Sequence, residues 1–142
     1  MKKCSDVMTS ELVYSSPNDL VSDVAHLMKM EDIGPVLIVD DSNGRKLIGI
    51  VTDRDLALKV VGEGLDPNET KVDEVMTTEV ITCRAEDDVQ KAMQSMAQYQ
   101  LRRIPVVDDQ GMLVGIISQA DVATRVNEPK KTGEVVKEIS KD

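Results

Sequence analysis

The chain has 142 residues, of which 41% are hydrophobic and 30% charged; this is single-domain size and globular composition, and it excludes a disordered or low-complexity chain. Tyr14 and Tyr99 are the only aromatic residues, so aliphatic side chains must fill the core, and the base-stacking platforms of a single-strand or RNA binder are missing. Seventeen Lys and Arg against 26 Asp and Glu leave a formal charge of −9, which disfavours nucleic acid and anionic membranes as partners.

Met1-Lys2-Lys3 leads into polar residues rather than a signal-peptide core, and the longest apolar run, Val36-Leu37-Ile38-Val39, is too short to span a bilayer. A cytoplasmic protein is expected. Cys4 and Cys83 lie 79 positions apart without a Cys-x-x-Cys partner, so neither a zinc site nor a disulfide framework is expected. Two reduced, partly buried thiols are the favoured reading, and a thiol sensor the least favoured.

The elements come in two copies. A short strand around Leu12-Val13 precedes a helix expected to start at Ser16-Pro17-Asn18-Asp19, with Ser16 as cap and Pro17 in the first turn. Its apolar stripe is Val21, Val24, Ala25 and Met28. The apolar run 36–39 then reads as a strand, and Asp41-Ser42-Asn43-Gly44 as a turn into a second strand over 47–51. A second helix starts at Thr52, and Gly62 to Glu69 forms a loop.

The series then repeats. Val7-Met8-Thr9 returns as Val75-Met76-Thr77 at an offset of 68, and the helical stripe returns as Val89, Ala92, Met93 and Met96. The second copy has its early strand at Val80-Ile81, its first helix near Glu86, its central strand at Ile104-Pro105-Val106-Val107, a turn at Asp109-Gln110-Gly111 and a last helix from Ser118. The expected architecture is α/β (α+β), two β-α-β-β-α repeats packed through their sheets with pseudo-twofold symmetry around a cleft. The expected boundaries are 4–62 for repeat 1, 63–71 for a linker, 72–126 for repeat 2, and 127–142 for a tail with a short docked helix. The tail is charge-neutral, so the whole −9 falls on residues 1–126.

The doubled Val-Met-Thr opening, the Ile104-Pro105-Val106-Val107-Asp108 strand, and Gly-Ile-(Val/Ile)-(Thr/Ser)-x-x-Asp at 49–55 and 115–121 resemble the cystathionine-β-synthase (CBS) domain, here as the tandem pair called a Bateman module. The resemblance covers residues 4–126. It implies a non-catalytic regulatory module that takes adenosine-containing ligands (AMP, ADP, ATP, NAD or S-adenosylmethionine), requires no cofactor, forms a homodimer and acts on an effector protein. The alternative is a ligand-free dimerisation or interaction scaffold.

Thr-x-x-Asp and Ser-x-x-Asp at a strand-to-helix junction place a hydroxyl and a carboxylate together, and a carboxylate can accept both hydroxyls of a ribose. By resemblance that role falls to Asp55 and Asp121, with Thr52 and Ser118 facing sugar or phosphate. The implied adenine slots are Leu12, Val13, Tyr14, Val36 and Leu37 in one copy, and Val80, Ile81, Thr82, Ile104 and Pro105 in the other. Arg54, Arg102 and Arg103 are candidate phosphate contacts, because guanidinium meets phosphate in a bidentate way. The same residue patterns also serve as plain helix capping boxes and as arginines balancing Asp53, Asp108 or Asp109. His26 stands alone on a helix and carries no metal or catalytic expectation. Met28, Met30, Met93 and Met96 are the expected apolar surface for self-association. Leu37 stands where the family pattern and the second copy have proline, so the Asp121 site is expected to be the better one.

Overall fold

A run of four apolar residues with no polar face needs burial on both sides, and the middle position of a sheet supplies it. The computed structural model of the chain, which describes residues 2–42 and 44–126, bears this out. Strands β1 (Tyr14–Ser15), β2 (Pro35–Asp40) and β3 (Lys46–Thr52) form a three-stranded sheet with β2 in the middle, and Val36 to Val39 are all buried. β1 runs parallel to β2, with Tyr14 opposite Leu37, and β3 is antiparallel, with Thr52 opposite Pro35. Helix α1 (Cys4–Val7) precedes this sheet in the chain; helices α2 (Val21–Glu31) and α3 (Asp53–Asp55, continuing over Leu56–Val61 with wider, π-type turns) cover it. Val21, Val24 and Met28 of α2 meet Val36, Ile38 and Val51 of the strands and Leu56 and Val60 beyond α3 in one core.

The second copy builds the same layers. Strands β4 (Cys83–Arg84), β5 (Arg103–Val107) and β6 (Leu113–Ser118) form a sheet in that order, with helices α4 (Val89–Gln98) and α5 (Gln119–Asp121, continuing over Val122–Val126). Its core joins Val89, Ala92 and Met96 to Ile104, Val106 and Ile117, with Cys4, Val7 and Cys83.

The chain divides into two compact units, and their bounds differ from those of the repeats. One is Val13–Val80; the other joins residues 2–12 to 81–126. Each repeat's opening segment therefore packs in the unit built by the other repeat. Thr9 pairs with Ile116 of β6, its N–H and carbonyl bonded at 2.9 and 3.0 Å, and Thr77 pairs with Ile50 of β3 at 2.8 and 2.9 Å. Gly49 and Gly115 make room for this: a Cβ at Gly49 would meet the Met76 side chain and the Thr77 carbonyl, and one at Gly115 would meet Met8. The repeated Gly belongs with the repeated Met that lies over it.

Several expected boundaries move. The early strands form at Tyr14–Ser15 and Cys83–Arg84 rather than at Leu12-Val13 and Val80-Ile81, because the ladder to the central strand, not side-chain hydrophobicity, defines them; Ser15 is buried in it. The second ladder begins at Cys83 opposite Val106, one repeat position later than the first, where Pro105 replaces Leu37 and has no N–H to donate. Ser16 does not cap α2. Its N–H bonds Asp19 Oδ2 at 2.9 Å and its carbonyl accepts the Asp19 N–H, closing a turn, and the helix starts four residues later behind Leu20. The open N–H groups of Val21 and Ser22 donate instead to the carbonyls of Thr70 and Pro67, at 2.8 and 2.9 Å, so the stretch 63–71 closes the end of α2. Likewise Val89 N–H donates to Lys2 O, and α4 is capped by Asp88 rather than started at Glu86. Ala25 is exposed, and Met28 and Met96 are core residues rather than surface. The tail 127–142 and Asn43 lie outside the described residues.

Candidate functional site

The strand-to-helix junctions fold as the local pattern requires. Thr52 N–H donates to Asp55 Oδ2 at 2.9 Å and Asp55 N–H donates to Thr52 Oγ1 at 3.1 Å. Ser118 and Asp121 repeat the exchange at 3.0 Å in both directions. Each hydroxyl accepts from the helix and keeps its own proton to donate, while the second carboxylate oxygen, Oδ1, stays outside the box. The Asp55 and Asp121 side chains are only 19% and 15% exposed.

The register gathers the remaining candidates around these boxes. In the Val13–Val80 unit, Pro35 faces Thr52, the Gly34 carbonyl accepts the Asp53 N–H at 3.0 Å, and Tyr14 faces Leu37; Val13, Val36, Leu37, Thr52 and Asp55 thus share one end of the sheet. Val36 is fully buried in the core, so its backbone rather than its side chain is what this end can offer. In the other unit Arg103 faces Ser118 and the Arg102 carbonyl accepts the Gln119 N–H at 2.9 Å, which brings Arg102, Arg103, Ile104 and Pro105 beside Ser118 and Asp121. Ile81 packs on that core and Thr82 is half-buried, while Ile104 is fully buried. Arg54, Arg102 and Arg103 are exposed and make no ion pair among the described residues. Asp109 pairs with Arg84 instead, and Asp53 accepts the Arg54 backbone N–H. Unpaired arginines at the open end of a sheet leave positive charge available to an anion.

Two residues that sequence reasoning missed complete the arrangement. One helical turn beyond each aspartate stands a cation: Lys59 Nζ is 3.4 Å from Asp55 Oδ1, and Arg125 Nε is 4.0 Å from Asp121 Oδ1. Lys59 also donates to the Val75 carbonyl at 3.0 Å, and Arg125 Nη1 to those of Val7 and Met8 at 3.2 and 3.1 Å. Each cation joins the box carboxylate to the Val-Met-Thr segment. The i,i+4 spacing of Asp and base is visible in the sequence; the carbonyl partners are not. His26 is exposed, and no group of three metal-ligating side chains occurs among the described residues. No helix among them is long and apolar enough to cross a membrane.

Two α+β repeats, each with a hydroxyl–carboxylate box where its last strand enters its last helix, define the class, and the CBS domain pattern matches residues 4–62 and 72–128. The chain belongs to the CBS domain family, as a tandem pair. It is 36% identical over 140 residues to the CBS domain-containing protein YhcV of Bacillus subtilis (strain 168), covering 99% of this chain and 96% of that one. Among solved structures it is similar to the CBS domain pair of protein MJ0100 in complex with 5'-methylthioadenosine and S-adenosyl-L-methionine (28% identity, TM-score 0.70, 87% of this chain and 94% of that chain). It is also similar to CBSX2 in complex with AMP (27% identity, TM-score 0.73, 86% and 93%).

Proposed function

We propose that the chain is a non-catalytic regulatory module whose two units each take an adenosine-containing ligand: AMP, ADP, ATP, NAD or S-adenosylmethionine. The observation that carries this reading is the pair of boxes. In each, a largely enclosed carboxylate sits beside a hydroxyl whose proton is free, which matches two ribose hydroxyls as donors and a ribose or phosphate oxygen as acceptor. The two related pairs solved with adenosine compounds support it. Arg102 and Arg103 flank the Asp121 box and would meet phosphate, Arg54 plays that part at Asp55, and the ends of β2 and β5 would present backbone to the adenine edge. Self-association belongs to the same reading, with exposed Met30, Leu58 and Val61 as apolar surface. In such a module the ligand binds two arrangements of the chain with different affinity, and that difference shifts the balance between them.

A ligand-free scaffold is the second reading, favoured by one fact: both boxes are already complete without a ligand, and Lys59 and Arg125 stand beside the remaining carboxylate oxygens. A thermal-shift panel of AMP, ADP, ATP, NADH, S-adenosylmethionine and S-adenosylhomocysteine separates the two, since a ligand at a hundred times its Kd adds about 2.7 kcal/mol. For the ligand that stabilises, Asp121→Ala should weaken binding at least about tenfold by calorimetry, and Asp55→Ala less. A larger loss at Asp55 reverses the ranking. No stabilising ligand, or no loss in either folded variant, leaves the scaffold.

A further inference from the structure

Cys4 and Cys83 stand 79 positions apart in sequence and side by side in the fold. Two backbone hydrogen bonds bring them there: Cys4 N–H to Asp87 O at 2.8 Å and Ser5 N–H to Ala85 O at 3.0 Å, which lay α1 along the residues that follow β4. Cys4 is fully buried and Cys83 5% exposed, in one core cluster. Cys4 Sγ lies 4.0 Å from the Asp88 carbonyl and Cys83 Sγ 3.9 Å from the Pro105 carbonyl, and the two thiols are near enough for each to shift the other's ionisation. The neighbouring Cys83 thiol pushes the Cys4 thiol down from its ordinary range, while Cys4 and burial push Cys83 up. In the other unit the repeat places Val72 and Ser15 at these two positions, both buried. The fold is thus satisfied by a pair that cannot cross-link, and the thiols are an addition confined to one unit.

We propose that Cys4 and Cys83 are a redox modification site, a dithiol that a small-molecule disulfide converts to an intramolecular disulfide. Cys4 Sγ, as thiolate, attacks one sulfur of the oxidant and expels the other as a thiolate, leaving a mixed disulfide. Cys83 then gives up its proton and its sulfur attacks Cys4 Sγ, expelling the second small thiolate. Two protein S–H bonds and the oxidant's S–S bond are lost; one protein S–S bond and two small thiols form, so two electrons pass to the oxidant. Because both sulfurs are buried, the oxidant reaches them when the four-residue α1 opens locally. The product pins α1 to β4, and with it the Thr9–Ile116 pairing and the Val7 and Met8 carbonyls that Arg125 holds beside Asp121. The inference stands apart from the ligand reading, since it involves neither box.

The test treats the full-length reduced protein with excess oxidised glutathione under native conditions, then quenches it in acid, unfolds it and alkylates it. The expected result is no alkylatable thiol, a mass lower by about 2 Da, a Cys4 peptide linked to a Cys83 peptide, and a thermal midpoint raised by at least about 5 °C that dithiothreitol reverses. Two alkylatable thiols, persistent glutathione adducts or a covalent dimer would each overturn the proposal. Cys83→Ser, which copies the Ser15 position, should abolish the midpoint rise; an equal rise in that variant also overturns it. The mass and peptide readouts on the unmodified chain decide the matter even if the variant folds poorly.

Discussion

The Val13–Val80 unit and the unit that joins residues 2–12 to 81–126 share a skeleton and differ in what hangs on it. Core partners correspond position by position: Val21 with Val89, Met28 with Met96, Val36 with Ile104, Ile38 with Val106, Val51 with Ile117. The fittings diverge. Lys59 corresponds to Arg125 in the repeat, Ser15 and Val72 to Cys83 and Cys4, Leu37 to Pro105, and Gly34-Pro35 to Arg102-Arg103. The lesson is that apolar periodicity and the capping boxes are common property of the two copies, whereas charge, thiols and prolines are free to differ between them.

The largest effect expected on that comparison comes from truncating equivalent core residues. Ile104→Ala should cost about 2–5 kcal/mol, and Val36→Ala about 1 kcal/mol less, since one carbon fewer leaves the core. Urea midpoints measure both, and an equal or larger loss at Val36 would show that the second core is the looser of the two.

A smaller effect separates the two cations. Arg125→Ala removes two hydrogen bonds to the opening segment and Lys59→Ala removes one. Both side chains are nearly half exposed, at 43% and 45%, so screening trims the values to about 1–2 kcal/mol for Arg125 and about 0.5–1 kcal/mol for Lys59. Amide exchange should quicken at Thr9 and Ile116 in the first variant and at Ile50 and Thr77 in the second. Exchange that speeds up globally instead would mean that the cations support the whole unit rather than the docked segment.

The smallest effect lies in the turns. Asp40 Oδ1 accepts the Ser42 hydroxyl at 2.5 Å and the Ser42 N–H at 3.0 Å, and these bonds hold its carboxyl below the ordinary value of 3.8. The repeat puts Gln110 where Ser42 stands, so the hydroxyl contact belongs to one unit alone. A depressed carboxylate adds stability above its unfolded value, and that stability is lost as pH falls through the folded value. Carbon-detected NMR titration should place Asp40 below 3.8, and Ser42→Ala should move it up. An unmoved midpoint would assign the depression to the backbone bond alone.

The order of elements, the start of the last helix in each copy, and the Thr52–Asp55 and Ser118–Asp121 boxes were legible from residues alone, because each depends on neighbours within one turn of helix or one strand. The start of α2 is not legible in this way. Ser16-x-x-Asp19 is a genuine local signal, yet it closes a turn, while the helix end is satisfied by Pro67 and Thr70 from some fifty positions away. The meeting of Cys4 with Cys83, the exchange of the opening segments between units, and the grip of Lys59 and Arg125 on backbone carbonyls were decided by the tertiary structure. A buried thiol or a lone base carries no periodicity that names its partner, and a backbone carbonyl has no side-chain identity to read. Only the path of the chain, which lays Thr9 against Ile116 and Thr77 against Ile50 on the other copy's sheet, brings these groups within bonding distance.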